Sequence, residues 1–245
     1  MRTSFKHAGS ALAATLVLLV LPAQAAPIVN GGFEAGMSGW SVADQPGSAG
    51  GFVLQSGTTS PVNGMAVPAP SGSNAAMTDG EAGGSHVLYQ DFMQTTEVGS
   101  ARLRFDVFVG NRAESFFVPD PATLDWATPL LNQQARVDLL LGGGDPFSLG
   151  DDLLLNLFAT GVGDPLVSGY TRVEIDITAL LNAHLNQTLR LRFAEVDNVN
   201  MFQFGVDNVT LDLLAAGEVP EPGAWMLMLA GLGAAALARR RVPRH

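Results

Sequence analysis

The chain has 245 residues, room for one β-sandwich or two smaller domains, and carries 13 Lys+Arg against 23 Asp+Glu, a formal net charge of −10. That balance argues against nucleic acid as a partner, because phosphate binding needs a basic surface. With no cysteine in the chain, disulfide scaffolds, thiolate zinc sites and cysteine nucleophiles are excluded.

Residues 1–26 read as a secretory signal peptide. Arg2 and Lys6 form a positive start, residues 11–21 an apolar run broken only by Thr15, and Pro22 ends it before Ala23-Gln24-Ala25. That small-x-small pattern suits signal peptidase and predicts cleavage after Ala25 or Ala26. The run is short of the ~20 residues a spanning helix needs.

Between the two ends the composition changes. Residues 27–218 hold 22 acids against seven basic residues, all arginine, a net charge of −15. Such a surface repels anionic polymers unless divalent cations bridge the two. Alternation is the dominant pattern. Leu103, Phe105, Val107 and Val109 share one parity, opposed by Arg102, Arg104, Asp106 and Phe108. Val173, Ile175 and Ile177 alternate with Arg172, Glu174 and Asp176, and Leu189, Leu191 and Phe193 with Arg190, Arg192 and Ala194. Period two repeated this way predicts half-buried antiparallel strands. Further strands are expected at 40–44, 51–55, 74–79, 85–93, 134–141, 152–159 and 202–214, with long loops at 56–74 and 111–133. One short helix, capped by Thr178, is expected within 177–185. Nine or ten strands with no internal repeat predict an all-β fold, one antiparallel jelly-roll β-sandwich over residues 27–214.

Residues 215–222 read as a linker. An apolar stretch follows at 223–238, sixteen residues or about 24 Å of helix, short but sufficient for a thin membrane. Arg239, Arg240 and Arg241 come next, and the positive-inside rule places the tail 239–245 in the cytoplasm. Val219-Pro220-Glu221-Pro222, then a short Gly/Ala/Leu helix, then arginines at the C-terminus closely resembles the PEP-CTERM sorting signal. The resemblance implies a Gram-negative producer and removal of the helix by an exosortase. The protein would sit in the inner membrane only transiently, through residues 223–238, before reaching the cell surface or extracellular matrix.

A second resemblance lies in the core. Asn30-Gly31-Gly32-Phe33-Glu34, followed by Gly39-Trp40, and the late run from Phe202 to Leu211 that contains Gly205-Val206-Asp207-Asn208 are similar to the first and last strands of galactose-binding-like jelly rolls, the fold of many carbohydrate-binding modules. The resemblance implies one structural calcium, with Glu34 and Asp207 as its carboxylates. Two carboxylates alone do not supply the six to eight oxygens calcium takes, and the reading as surface or capping residues stays open. Phe33 and Trp40 are expected in the core.

Catalytic signals are sparse. His86 and His184 lie far apart in no motif, no Gly-x-Ser-x-Gly is present, and the glycine runs lack the lysine of a phosphate loop. Asp151-Asp152 and Glu195/Asp197 are paired carboxylates, expected at solvated strand ends or in loop calcium sites. Trp126, in a proline-bracketed loop that also holds Phe116-Phe117, is the candidate ligand-binding aromatic. These readings converge on a non-enzymatic exported surface or biofilm-matrix protein associating with secreted exopolysaccharide. The alternatives are a lectin-like module with defined sugar specificity and, more weakly, a glycan-processing enzyme.

Overall fold

The computed structural model describes residues 27–216. Its elements are β1 (Ser41–Asp44), β2 (Gly51–Ser56), β3 (Asn74–Asp79), β4 (Gly84–Met93), β5 (Val98–Asn111), β6 (Gln133–Leu141), β7 (Leu153–Ala159), β8 (Thr171–Asp176), α1 (Thr178–Ala183), β9 (Thr188–Asp197) and β10 (Phe202–Ala215). They form two five-stranded antiparallel sheets, ordered β1-β4-β9-β6-β7 and β2-β3-β10-β5-β8. From β3 onward successive strands mostly change sheet, so nearly every pairing is long-range in sequence. The two long loops fall where proline and glycine predicted them, at 57–73 and 112–132. Thr178 does not cap the helix as expected. Its hydroxyl instead donates to Asp176 Oδ1 and accepts the Ala101 amide, and Ile177 stands at the N-cap without a side-chain bond.

The period-two residues meet between the sheets, where alternation must place them. Phe105 stands edge-on to Phe193 with ring centroids 5.5 Å apart, and Trp40 bridges Phe193 to Phe33 at 5.9 and 5.3 Å. Phe33 and Trp40 are core residues, as expected. Phe116 is also fully buried, 5.6 Å from Phe202, so the Phe116-Phe117 pair is no exposed aromatic patch. Its loop is pinned where Phe117 exchanges backbone hydrogen bonds with Gln133.

The outer faces are covered too. Phe108, on the outward parity of β5, packs with Met77, Val67 and Tyr170 beneath the 57–73 loop. On the other sheet several outward residues are charged yet buried. Asp138 has no exposed surface and accepts two bonds from Arg136 at 2.8 Å, one from Arg192 at 2.5 Å and one from Asn156 at 2.8 Å. Arg192, equally buried, also donates to the carbonyls of Pro146 and Ser148, which straps the 142–152 loop over the sheet. Burial pulls the Arg192 pKa down while the Asp138 charge opposes the shift. Removing one member of a buried pair strands the other. Asp138→Ala should therefore destabilise the protein by about 3–5 kcal/mol, measured as a lower midpoint in urea unfolding.

Candidate functional site

The N-terminal motif and the last strand lie together. Asn30, at φ 50°, folds the opening turn by donating to the carbonyls of Gly36 and Ser38 and accepting the Ala35 amide. That turn brings Gly31 against β10, where its carbonyl accepts the Val209 amide at 2.9 Å. A Cβ on Gly31 would fall 1.8 Å from the Val209 carbonyl oxygen, so only glycine permits this approach. Gly205 is similarly constrained, with the Phe108 ring 2.0 Å from where its Cβ would stand. Across β10 the register with β5 slips between Asp207 and Thr210, and Asn208 takes φ 51° there. Its amide side chain donates to Asp106 Oδ2 at 2.7 Å.

The structure brings Glu34 and Asp207 to one loop. Glu34 Oε1 accepts the amides of Ser73 at 2.7 Å and Asn74 at 3.1 Å, and buried Asp207 accepts the amide of Ser71 at 2.8 Å. The Ser73 and Asn74 amides hold the Glu34 pKa low. Burial, with the charges of Asp106 and Glu34 nearby, pushes Asp207 up to about 6 despite its amide bonds. Among the described residues no group of three or more His, Asp or Glu is placed to hold a metal ion. A calcium here would therefore draw two carboxylates from the chain and its other oxygens from carbonyls and water.

Trp126 sits at one end of the sandwich, half-buried, on a wall of a groove of about 580 Å³. Its ring lies over Gly47, whose Cβ would fall 3.2 Å from Cζ2, and its amide donates to Gln45 Oε1 at 3.2 Å. Asn198 holds the loop from the other side, donating to the carbonyls of Trp126 at 3.1 Å and Leu130 at 2.9 Å. Leu130, Leu131 and Val199 line the groove and are exposed. Glu81 is its sole ionisable lining residue among those described. Tyr89 belongs to the same apolar cluster as Trp126, and the Arg190 guanidinium covers one face of its ring at 4.1 Å.

Behind this groove lies a feature that sequence reasoning missed. Glu195 and Asp197 are not at a solvated strand end. They are buried between the sheets with Asp79 and His86 around a small void. The signal was available: both continue the inward parity of Leu189, Leu191 and Phe193 along β9. Asp151-Asp152 does lie at a loop end, where Asp152 accepts a bond from Ser148. Of the two histidines, His86 is buried with Nδ1 2.7 Å from Asp44 Oδ1, and His184 lies by Gln187 at the surface. The sorting residues Val219, Pro220, Glu221, Pro222, Arg239, Arg240 and Arg241, the 223–238 segment and the signal peptide lie outside the described residues. Among the described residues no helix is long and apolar enough to cross a membrane.

Comparison with known proteins places the chain's C-terminus. Residues 218–242 match the PEP-CTERM protein-sorting motif, which marks this as an exported protein handled by the exosortase route. No curated protein matches the chain. Among solved structures, the enzymatically active domain of Bacteriophage CBA120 tailspike protein 4 is 11% identical over 77% of the chain, with a TM-score of 0.41, and the chain spans only 21% of that domain. A carbohydrate-binding module, TmCBM61, solved with beta-1,4-galactotriose, is 14% identical over 78% of this chain and 99% of its own, with a TM-score of 0.43. A cyclase from Fischerella sp. TAU is 21% identical over 79% of this chain and 99% of its own, with a TM-score of 0.47. These are likenesses between β-sandwiches, and no activity carries over from them.

The close contact at Gly31 yields a test of how the N-terminal motif is held. Gly31→Ala should cost about 1–3 kcal/mol by forcing the segment away from β10, and faster hydrogen exchange at the Val209 amide would report it.

Proposed function

We propose that this chain is a non-enzymatic exported protein of the cell surface or extracellular matrix, and that its jelly-roll sandwich associates with secreted exopolysaccharide through the Trp126 groove. The strand order supports the jelly-roll reading, since β3-β10-β5-β8 faces β4-β9-β6-β7 with β1 and β2 added at the edges.

The observation that carries the proposal is where the groove stands relative to the sorting motif. β10 begins at Phe202, directly after the groove residue Met201, and ends at Ala215, just before the motif starts at residue 218. A 14-residue strand spans about 45 Å. The groove and the start of the sorting motif therefore lie at opposite ends of β10. The lining supports binding rather than turnover, because a lone carboxylate, Glu81, offers no acid–base pair. Trp126 beside the polar side chains of Thr128 and Asn200 is the combination that favours the second reading, a lectin with defined sugar specificity.

Retention of the full-length protein, in detergent micelles, on the producer's exopolysaccharide tests this. Trp126→Ala should weaken retention about tenfold, equivalent to ~1.4 kcal/mol, while circular dichroism stays unchanged. Undiminished retention of a folded variant would remove the groove from the proposal.

The same reading includes one structural calcium between Glu34 and Asp207, tying the N-terminal turn, the 71–74 loop and β10 together. Calcium chloride should raise the melting temperature by about 2–4 °C per kcal/mol of binding. Chelator should reverse the rise, and the double variant Glu34→Gln, Asp207→Asn should lose it.

A further inference from the structure

At the groove end of the sandwich, ionisable side chains are enclosed together without a lysine or arginine. The β4–β9 register sets His86 opposite Glu195 and Gly84 opposite Asp197, all facing inward, and Asp79 closes the chamber from the end of β3. Glu195 is 1% exposed and Asp79 2%, and neither Glu195 Oε1 nor Asp79 Oδ1 has a hydrogen-bond partner. The void they surround is about 10 Å³, the space of one water.

The neighbouring elements bring no lysine or arginine to these oxygens. His86 Nδ1 is engaged with Asp44 of β1. β6 sets the neutral Gln133 opposite Asp197 and β10 contributes Phe202, Glu81 of the β3–β4 turn faces the groove, and Arg112 and Glu114 after β5 are exposed. Asp197 Oδ1 accepts the Gly84 amide at 2.7 Å, and Asp79 Oδ2 accepts Ser60 Oγ and the Val62 amide. Glu195, buried with Oε1 unpartnered, is costly to ionise, and such a group takes up a proton instead. The described residues also place no three His, Asp or Glu to hold a metal ion.

We propose that this chamber is a proton-controlled latch on the groove. With Glu195 and Asp197 protonated, the ends of β3, β4 and β9 close over the void. Their ionisation sets like charges side by side in a space of one water, and loosens the segments 80–84 and 198–201. Those segments carry Glu81, Gly83, Asn198 and Asn200 of the groove wall, so groove order follows the protonation of residues behind it. Burial, with the Asp197 charge second, holds the Glu195 pKa well above the carboxylate range, and burial pushes Asp197 up to about 7.

Both groups bind protons more tightly folded than unfolded. The Asp197 contribution is therefore complete below the unfolded carboxylate range near 4 and is lost as pH rises through about 7, while that of Glu195 persists until its own raised pKa is passed. In that window each group lowers the folding equilibrium constant about tenfold per pH unit.

Urea unfolding of the full-length chain in micelles from pH 4.5 to 8.5 reads this directly. Glu195→Gln and Asp197→Asn, which mimic the protonated acids, should each remove about tenfold per pH unit from the slope. Hydrogen exchange at 80–84 and 198–201 should rise in the wild type at pH 8 and stay low in Asp197→Asn. Parallel pH curves for wild type and both variants would overturn the proposal. So would calcium chloride restoring protection at pH 8 in the wild type but not in Asp79→Asn, which would make the chamber a cation site. Looser glycan binding at pH 8 is the consequence that rests on the groove reading. Stability and exchange involve no ligand, so failure of the latch and failure of the groove are separable.

Discussion

The position of β10 at the centre of its sheet governs the rest of the structure. It is the last strand in the chain, yet it lies between β3 and β5 and supplies Phe202, Phe204, Val206, Val209 and Leu211 to the core. The N-terminal turn also docks on it, through the Gly31 carbonyl and the Val209 amide. The sandwich consequently cannot close until the chain is available through residue 215, and the first and last motifs of the core are bound into one contact. Two glycines, Gly31 and Gly205, are what allow backbone and ring to come so near this strand.

A second constraint is that both outer faces of the sandwich are roofed by loops. The charged face of β6 and β9 carries the Asp138 network, which the 142–152 loop seals from solvent. With that broad sheet surface taken up by structural ion pairs, the accessible concavity near Trp126 lies instead at one end, where the 79–84, 111–133 and 197–202 connections gather. Their placement follows from strand direction: β3, β5 and β9 all finish at that end, and β10 starts from it.

Much of the fold was legible because alternation is a local property that burial must respect. The parity of Leu103, Phe105, Val107 and Val109 on β5, and of Leu189, Leu191 and Phe193 on β9, correctly identified the inward faces. Parity also extended to Glu195 and Asp197, but their carboxyl chemistry suggested solvent, and only the facing sheet shows that the inward position is enclosed. For Phe116 the sequence left open an exposed patch and a loop folded down by its own aromatics. A loop aromatic carries no periodicity, and Phe202, eighty-six positions along the chain, is what buries it.

The sequence by itself determined the C-terminal sorting motif, the acidic strand-rich core and the residues able to form a carboxylate pair, because hydropathy, charge and period two are written in neighbouring residues. Tertiary structure decided which of those residues meet. Glu34 and Asp207 converge on the 71–74 loop because β10 returns beside the N-terminal turn, and Trp126 lines a groove because Asn198 and Gln45 hold its loop from two directions. The acids behind that groove are enclosed because the two sheets face each other there. Burial and long-range pairing arise only between segments far apart in the chain, and no local pattern specifies them.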